Sequence, residues 1–405
     1  MSNLESKFVT PLFFVFVLHG LLYYVFPDQH YLAGTENTGW ILYIKYICVL
    51  FAFPLLARYR FNNRTVVWLL IGIGFAVATF ATSVYWANRG NLLLLQFQIP
   101  ILGYFFGGYV LRVFSQPRRA EGLLFGLLII SFIAMAMELM VGNLFGQFSR
   151  SGFRSVGPFV NPNNTGIIVA IVAASYHFVA KGIRANFTVA LLASAVVLAS
   201  GSKTAMVLYA VGVVTSLPLG SRFSVLLMVS LVGLGLYAGD IPKLWSLLGL
   251  RELSLESGAI RSEDVRNVLR LFSDATLVQM LFGFSTKSLV DNAYLDMLSY
   301  GGMSLLAPFL MAQIASVIIC VRYRFSLALF LHVLFFLAML TTNIPRLWPT
   351  GYAYWALVSI TVIKWVDAAH HRRIYASRAW DARCQVTGEI QLAERLGVPE
   401  KSAAR

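Results

Sequence analysis

Apolar residues run through this chain in stretches of about 15 to 25, broken by short polar islands. The stretches are continuous and show no period-two alternation, which suits membrane-crossing helices and argues against a β-barrel. Marking them gives about twelve spans, roughly at 8–26, 39–57, 65–86, 92–111, 121–142, 166–180, 186–200, 204–219, 223–239, 292–320, 325–343 and 350–366. The first is long for the apolar region of a signal peptide and lacks a small-residue cleavage site before "FPDQHYLAG". It is therefore expected to stay in the mature chain. The resulting organisation is spans one to nine over 1–239, an outer loop over 240–291, three more spans over 292–369 and a polar tail over 370–405. The expected fold class is an all-α integral membrane protein. The tail is expected to be cytoplasmic and either partly helical or disordered.

Composition agrees with that pattern. Hydrophobic residues make up 58% of the chain and charged ones only 12%, far from the balance of a soluble domain. Alternate connectors receive the basic residues: Arg58, Arg60 and Arg64, then Arg112, Arg118 and Arg119, then Lys181 and Arg184, Arg222, Arg322 and Arg324, and finally Arg372 and Arg373. By the positive-inside rule that side is cytoplasmic, so both termini are expected there and the number of spans is even. Topology thus accounts for most of the net charge of +14, and no nucleic-acid partner is expected, because the charges are spread over connectors instead of one face. Cys48, Cys320 and Cys384 have neither disulfide-framework nor metal-ligand spacing, so no metal or cofactor is expected.

Against this background the polar islands on the opposite side stand out. They are "FSRSGFRSVGPFVNPNNTG" at 148–166, "SGSKTA" at 200–205, the long loop near 240–291, "DNAYLDMLSYGG" at 291–302 and "TTNIPRLWPTG" at 341–351. The long loop is expected to be functional or a folded cap. Within it, Glu263 to Met280 is amphipathic at helical spacing, with Val265, Leu269, Phe272 and Val278 apolar, and predicts a short helix lying over the outer membrane face. Pro158 and Pro162 stop helices, while Asn161, Asn163 and Asn164 suit either capping of the next helix or hydrogen bonding to a ligand. "SGSKT" is not a nucleotide-binding P-loop, because Ser202 stands where that motif needs a glycine before the lysine.

The outward basic residues are Arg154, Lys203, Arg251, Arg261, Arg266, Arg270 and Arg346. Guanidinium groups bind phosphate oxygens bidentately and lysine adds a point charge, so the set suits an anionic pyrophosphate or headgroup. Single members such as Arg251 or Arg270 also fit as solvated charges. Asp291 stands at a helix mouth as a base or a cap, and Asn292 and Tyr294 suit hydrogen bonds to polyols. Glu138 and Lys45 lie inside spans, where function, a structural pair and snorkelling are all open. His19, His177 and His332 are expected to be packed histidines.

The order of the islands, "RSVGPFVNPNNTG", "SGSKTA", "SGAIR", "LFGFS" and "DNAYLDMLSYGG" over roughly residues 148–302, resembles the O-antigen ligase and Wzy-type O-antigen polymerase superfamily. The resemblance implies a C-type membrane glycosyltransferase that is metal-independent and inverting. Its donor would be an undecaprenyl-pyrophosphate-linked glycan, its acceptor another glycan, and its site would face the periplasm from the bacterial inner membrane. Asp291, Arg261 and Arg154 would be catalytic, with Lys203, Arg266, Asn161, Asn163, Asn292 and Tyr294 binding substrate. Membrane lipids and a chain-length regulator would be further partners. Ligases of the family carry a histidine at the place of Asp291 and an arginine at the place of Lys203, so this chain is closer to the polymerases. A ligase acting on lipid A core or on a protein is the alternative, and a polysaccharide transporter or flippase ranks below both, since no internal repeat is visible.

Overall fold

The computed structural model describes residues 14–29 without 16, 40–48 without 45 and 46, 117–141, 154–180 without 160, 182–216, 255–284, 292–342 and 350–368 without 363, 366 and 367. Among the described residues the regular structure is helical and contains no strand. After a helical turn at Leu22–Val25 come α1 (Pro117–Val141), α2 (Pro162–Val179), α3 (Ile183–Ser200), α4 (Lys203–Ser216), α5 (Leu255–Ser273), α6 (Leu277–Phe282), α7 (Ala293–Tyr323), α8 (Ser326–Met339) and α9 (350–362). Within these, Arg118–Val141 and Gly301–Tyr323 are long and apolar enough to cross a membrane, and Ala185–Ser200, Lys203–Val213 and Ser326–Met339 are apolar but shorter. The spans expected at 65–86, 92–111 and 223–239, and the tail from 370, lie outside the described residues.

Helix α2 is the hub, packing on α1, α3, α4 and α8 and buried along most of its length. Its surface explains how it holds so many neighbours. A Cβ added to Gly166 would meet Ser200 Oγ at 2.4 Å and Ala205 Cβ at 2.8 Å, and one added to Gly212 on α4 would meet Ala174 Cβ at 2.8 Å. Small residues let the backbones of α2, α3 and α4 approach closely, the usual means of joining apolar helices where burial alone does not discriminate. The same core continues through larger rings into α7, α8 and α9. Tyr354, fully buried, sits 5.7 Å from Phe309, 5.6 Å from Phe335 and 5.4 Å from Trp355, ring centroid to ring centroid.

Local sequence sets the helix ends. Asn161 accepts from the Asn163 amide at 2.9 Å, and Pro162 follows at the first helical position with its φ already suited to a helix. α2 therefore starts at Pro162, four residues before the apolar run at 166 that marked the expected span. Two further expectations need correcting. The amphipathic stretch Glu263 to Met280 is two helices, because Thr276 and Gln279 form a reciprocal capping box that starts α6. Of the apolar residues of the stretch, Val268 is buried and Leu269 is exposed.

The long span expected at 292–320 is broken near its start. Gly302 has φ 61° and ψ −159°, conformations that a side chain resists. A Cβ there would lie 2.5 Å from the Leu281 carbonyl and the Gly283 nitrogen, and the Phe284 amide donates to the Ser299 carbonyl at 2.7 Å. The end of α6 thus seats in the break of α7, and "YGG" is the sequence that permits it. Phe272 of α5 joins this corner edge-on to Phe284, with centroids 4.9 Å apart.

Candidate functional site

The segment 154–157 lies outside regular structure and is buried from Ser155 onward, so each of its amides needs an acceptor. The Ser155 amide donates to the Ala199 carbonyl of α3 at 2.8 Å. Those of Val156 and Gly157 donate to the two carboxylate oxygens of Glu138 on α1, at 2.8 and 2.9 Å. The Tyr24 hydroxyl donates to the same carboxylate, and Thr165 of α2 donates to the Val156 carbonyl. Gly157, with φ 64°, makes the turn that lets the chain lie against Thr165.

Arg154 leads this segment. Its Nε donates to the Ser200 carbonyl at 3.0 Å and its Nη2 to Asn163 Oδ1 at 2.8 Å, and the side chain lies over Gly201. One guanidinium therefore joins the start of α2 to the turn between α3 and α4. In that turn Ser202 caps α4 through its hydroxyl, 3.3 Å from the Ala205 amide, and Lys203, half-buried, opens the helix. Further pairs close the ring. Thr204 of α4 meets Thr341 after α8 at 2.6 Å, Asn292 Nδ2 donates to the Leu340 carbonyl at 3.0 Å, and Thr350 at the start of α9 donates to Asn164 Oδ1 at 3.4 Å.

The described residues of the polar islands, 154–166 without 160, 200–205, 292–302, 341–342 and 350–351, are therefore brought together at one end of the bundle. Helices α2, α4, α7 and α9 begin there. Asn161, Ser202 and Asn292 cap the first three of these, while α1, α3 and α8 end on the same side, so the helix dipoles largely offset one another and the fixed positive charge here is that of Arg154 and Lys203. The other end holds exposed Arg118, Arg119, Arg322 and Arg324, the buried pair His177 and Asn186 at 3.1 Å, and Lys364 over the Phe325 ring at 5.3 Å.

Individual candidates fall as follows. Asn161 and Asn292 use their side-chain oxygens as helix caps, while Asn163 accepts Arg154. Tyr294 turns its hydroxyl to Gln313, 3.1 Å away within α7, near Met339. Arg266 and Arg270 are exposed on α5, which packs on α7, and Arg261 lies in the same helix. Asp291, Arg251, Arg346 and Lys45 lie outside the described residues. His19, His177 and His332 are buried and packed, as expected. Sequence reasoning passed over Tyr24, Thr204, Thr341 and Asp296, the last a carboxylate only 3% exposed on the first piece of α7. The signal for the threonines was their place at span ends; for Tyr24 there was none, since its partner is 114 residues away. Compared with the models of known protein families and with the sequences of curated proteins, the chain matches none.

Proposed function

We propose that the chain is a membrane glycosyltransferase of about twelve spans that polymerises lipid-pyrophosphate-linked oligosaccharide repeats on the outer face of a bacterial inner membrane. The observation that carries this reading is the meeting of the polar islands with Arg154 and Lys203 at the end of the bundle opposite Arg118, Arg119, Arg322 and Arg324. Under the positive-inside rule, the end with the exposed arginines is cytoplasmic and the polar end is periplasmic.

The chemistry follows from the leaving group. An acceptor hydroxyl attacks the anomeric carbon of the donor, the bond to pyrophosphate breaks, and the hydroxyl proton passes to a base. Negative charge grows on the pyrophosphate, where fixed positive groups in a dry site lower the barrier without reorganising. Arg154 and Lys203 supply that field, with Arg261 and Arg266 of the outer helix completing it. Asp291, next to the cap Asn292, is the base. Asn161, Asn163 and Asn292, fixed by their partners within the protein, border the approach, whereas Tyr294 holds its hydroxyl against Gln313. The order of motifs supports the same reading, and the aspartate at 291 favours a polymerase over a ligase.

The test is reconstitution. In vesicles containing a polyprenyl-pyrophosphate repeat unit, the protein is expected to produce lipid-linked glycans of increasing length, and D291N to bind donor without turnover. Absence of any glycosyl transfer would overturn the reading. Transfer of finished chains to lipid A core in place of elongation would make the protein a ligase.

A further inference from the structure

We propose that Glu138 is a positioning residue, whose carboxylate fixes the 154–157 segment and through it the guanidinium of Arg154. The inference rests on the glycosyltransferase reading for its kinetic consequence, but its structural half stands on geometry alone.

Glu138 is 2% exposed in a helix otherwise apolar enough to cross a membrane. A buried carboxylate is costly unless its lone pairs are satisfied, and here they are satisfied by the very segment that carries Arg154. Two consecutive amides, Val156 and Gly157, take one oxygen each at 2.8 and 2.9 Å, and the Tyr24 hydroxyl shares the second oxygen. Only a carboxylate presents two acceptor oxygens at that spacing. A glutamine of the same size offers one acceptor and one NH2 group, which would face an amide N–H donor to donor. The remaining anchors of the segment come from α2 and α3, with the Thr165 hydroxyl on the Val156 carbonyl among them. Ser155 binds Ala199, and Arg154 reaches Ser200 and Asn163. The clamp is therefore three-sided, with α1 holding the segment through Glu138 alone among the described hydrogen bonds. Loss of that side frees the two amides closest to the Gly157 turn and lets the guanidinium leave its place between α2 and the α3–α4 turn. Tyr24 ties the first span into the same clamp, so the start of the chain helps set a site built from its middle.

The experiment combines hydrogen exchange and kinetics on the full-length protein in lipid nanodiscs. In E138Q, amides of the peptide covering 154–159 are expected to exchange at least tenfold faster than in the wild type, with the rest of α2 unchanged. In Y24F, which keeps both amide bonds, the same peptide should exchange about threefold faster. For transfer from the polyprenyl-pyrophosphate donor, E138Q should lower kcat at least tenfold with donor KM within about threefold. The double variant E138Q/R154A should fall no further than R154A, because Glu138 acts through Arg154. Wild-type exchange at 154–159 in both single variants would overturn the clamp. Losses that multiply in the double variant would overturn the route through Arg154. Should E138Q fail to fold, Y24F with the Y24F/R154A pair decides by the same two readouts. A wild-type protein that transfers no glycan would defeat the functional reading, while the exchange result would still decide the clamp.

Discussion

The two ends of the bundle handle polar groups in opposite ways. At the end containing Glu138, Arg154 and Thr204, charged as well as polar side chains are buried or half-buried, each held by specific partners. At the other, Arg118, Arg119, Arg322 and Arg324 are exposed, and the buried polar contacts are between uncharged partners, His177 with Asn186 and His332 with Thr361. Exposed charges cost little and need no particular geometry, whereas buried polar groups must each find a partner or destabilise the fold. The contrast shows at which end the fold fixes the positions of charged side chains.

Changes at the two ends should therefore differ in size and kind. The largest effect is expected for Gly157→Val, whose Cβ would start 2.4 Å from Thr165 at a φ of 64°. A loss of about 2–4 kcal/mol, measured by thermal unfolding in detergent, would fit the strain and the overlap; wild-type stability would show that the turn does not fix the segment. Next, Arg154→Ala should cut glycosyl transfer at least about a hundredfold while the protein still inserts and folds, the size expected for losing a fixed donor to a developing anion. Normal polymer ladders on a polysaccharide gel would remove Arg154 from the site. At the opposite end, Asn186→Ala should cost about 1–2 kcal/mol by stranding His177 and leave transfer unchanged. A loss of transfer there would break the comparison. Smallest of all, Arg324→Gly, which relieves a φ of 56° at the end of α7 but loosens the unfolded chain, should shift stability by no more than about 0.5 kcal/mol.

Much of the site was legible because polar residues in an apolar chain are conspicuous. The islands around Asn161, Lys203, Asn292 and Thr342 could be picked out by eye, and their meeting at one end follows from alternate crossing directions. The capping of α2 by Asn161 and Pro162 was readable as one of two options, since capping is local. What could not be read was the pairing. Glu138 was open between function, a structural pair and snorkelling, and its choice of backbone amides 18 and 19 residues away depends on how the chain turns at Gly157. The break at Gly302 was hidden for the same reason. "YGG" in an apolar run looks like a continuous helix until α6 is seen to occupy the space a side chain would need.

By itself, then, the sequence determined that the chain is helical and apolar, where its polar islands fall and which of them share a side, because those depend on run length, charge and alternation along the chain. The tertiary structure alone decided which groups meet: Tyr24 with Glu138, Arg154 with Asn163 and Ser200, Thr204 with Thr341, Gly302 with the end of α6. Those partnerships are set by the close approach of helices at Gly166 and Gly212 and by the need of every buried polar group for a partner, conditions that arise only when distant segments pack.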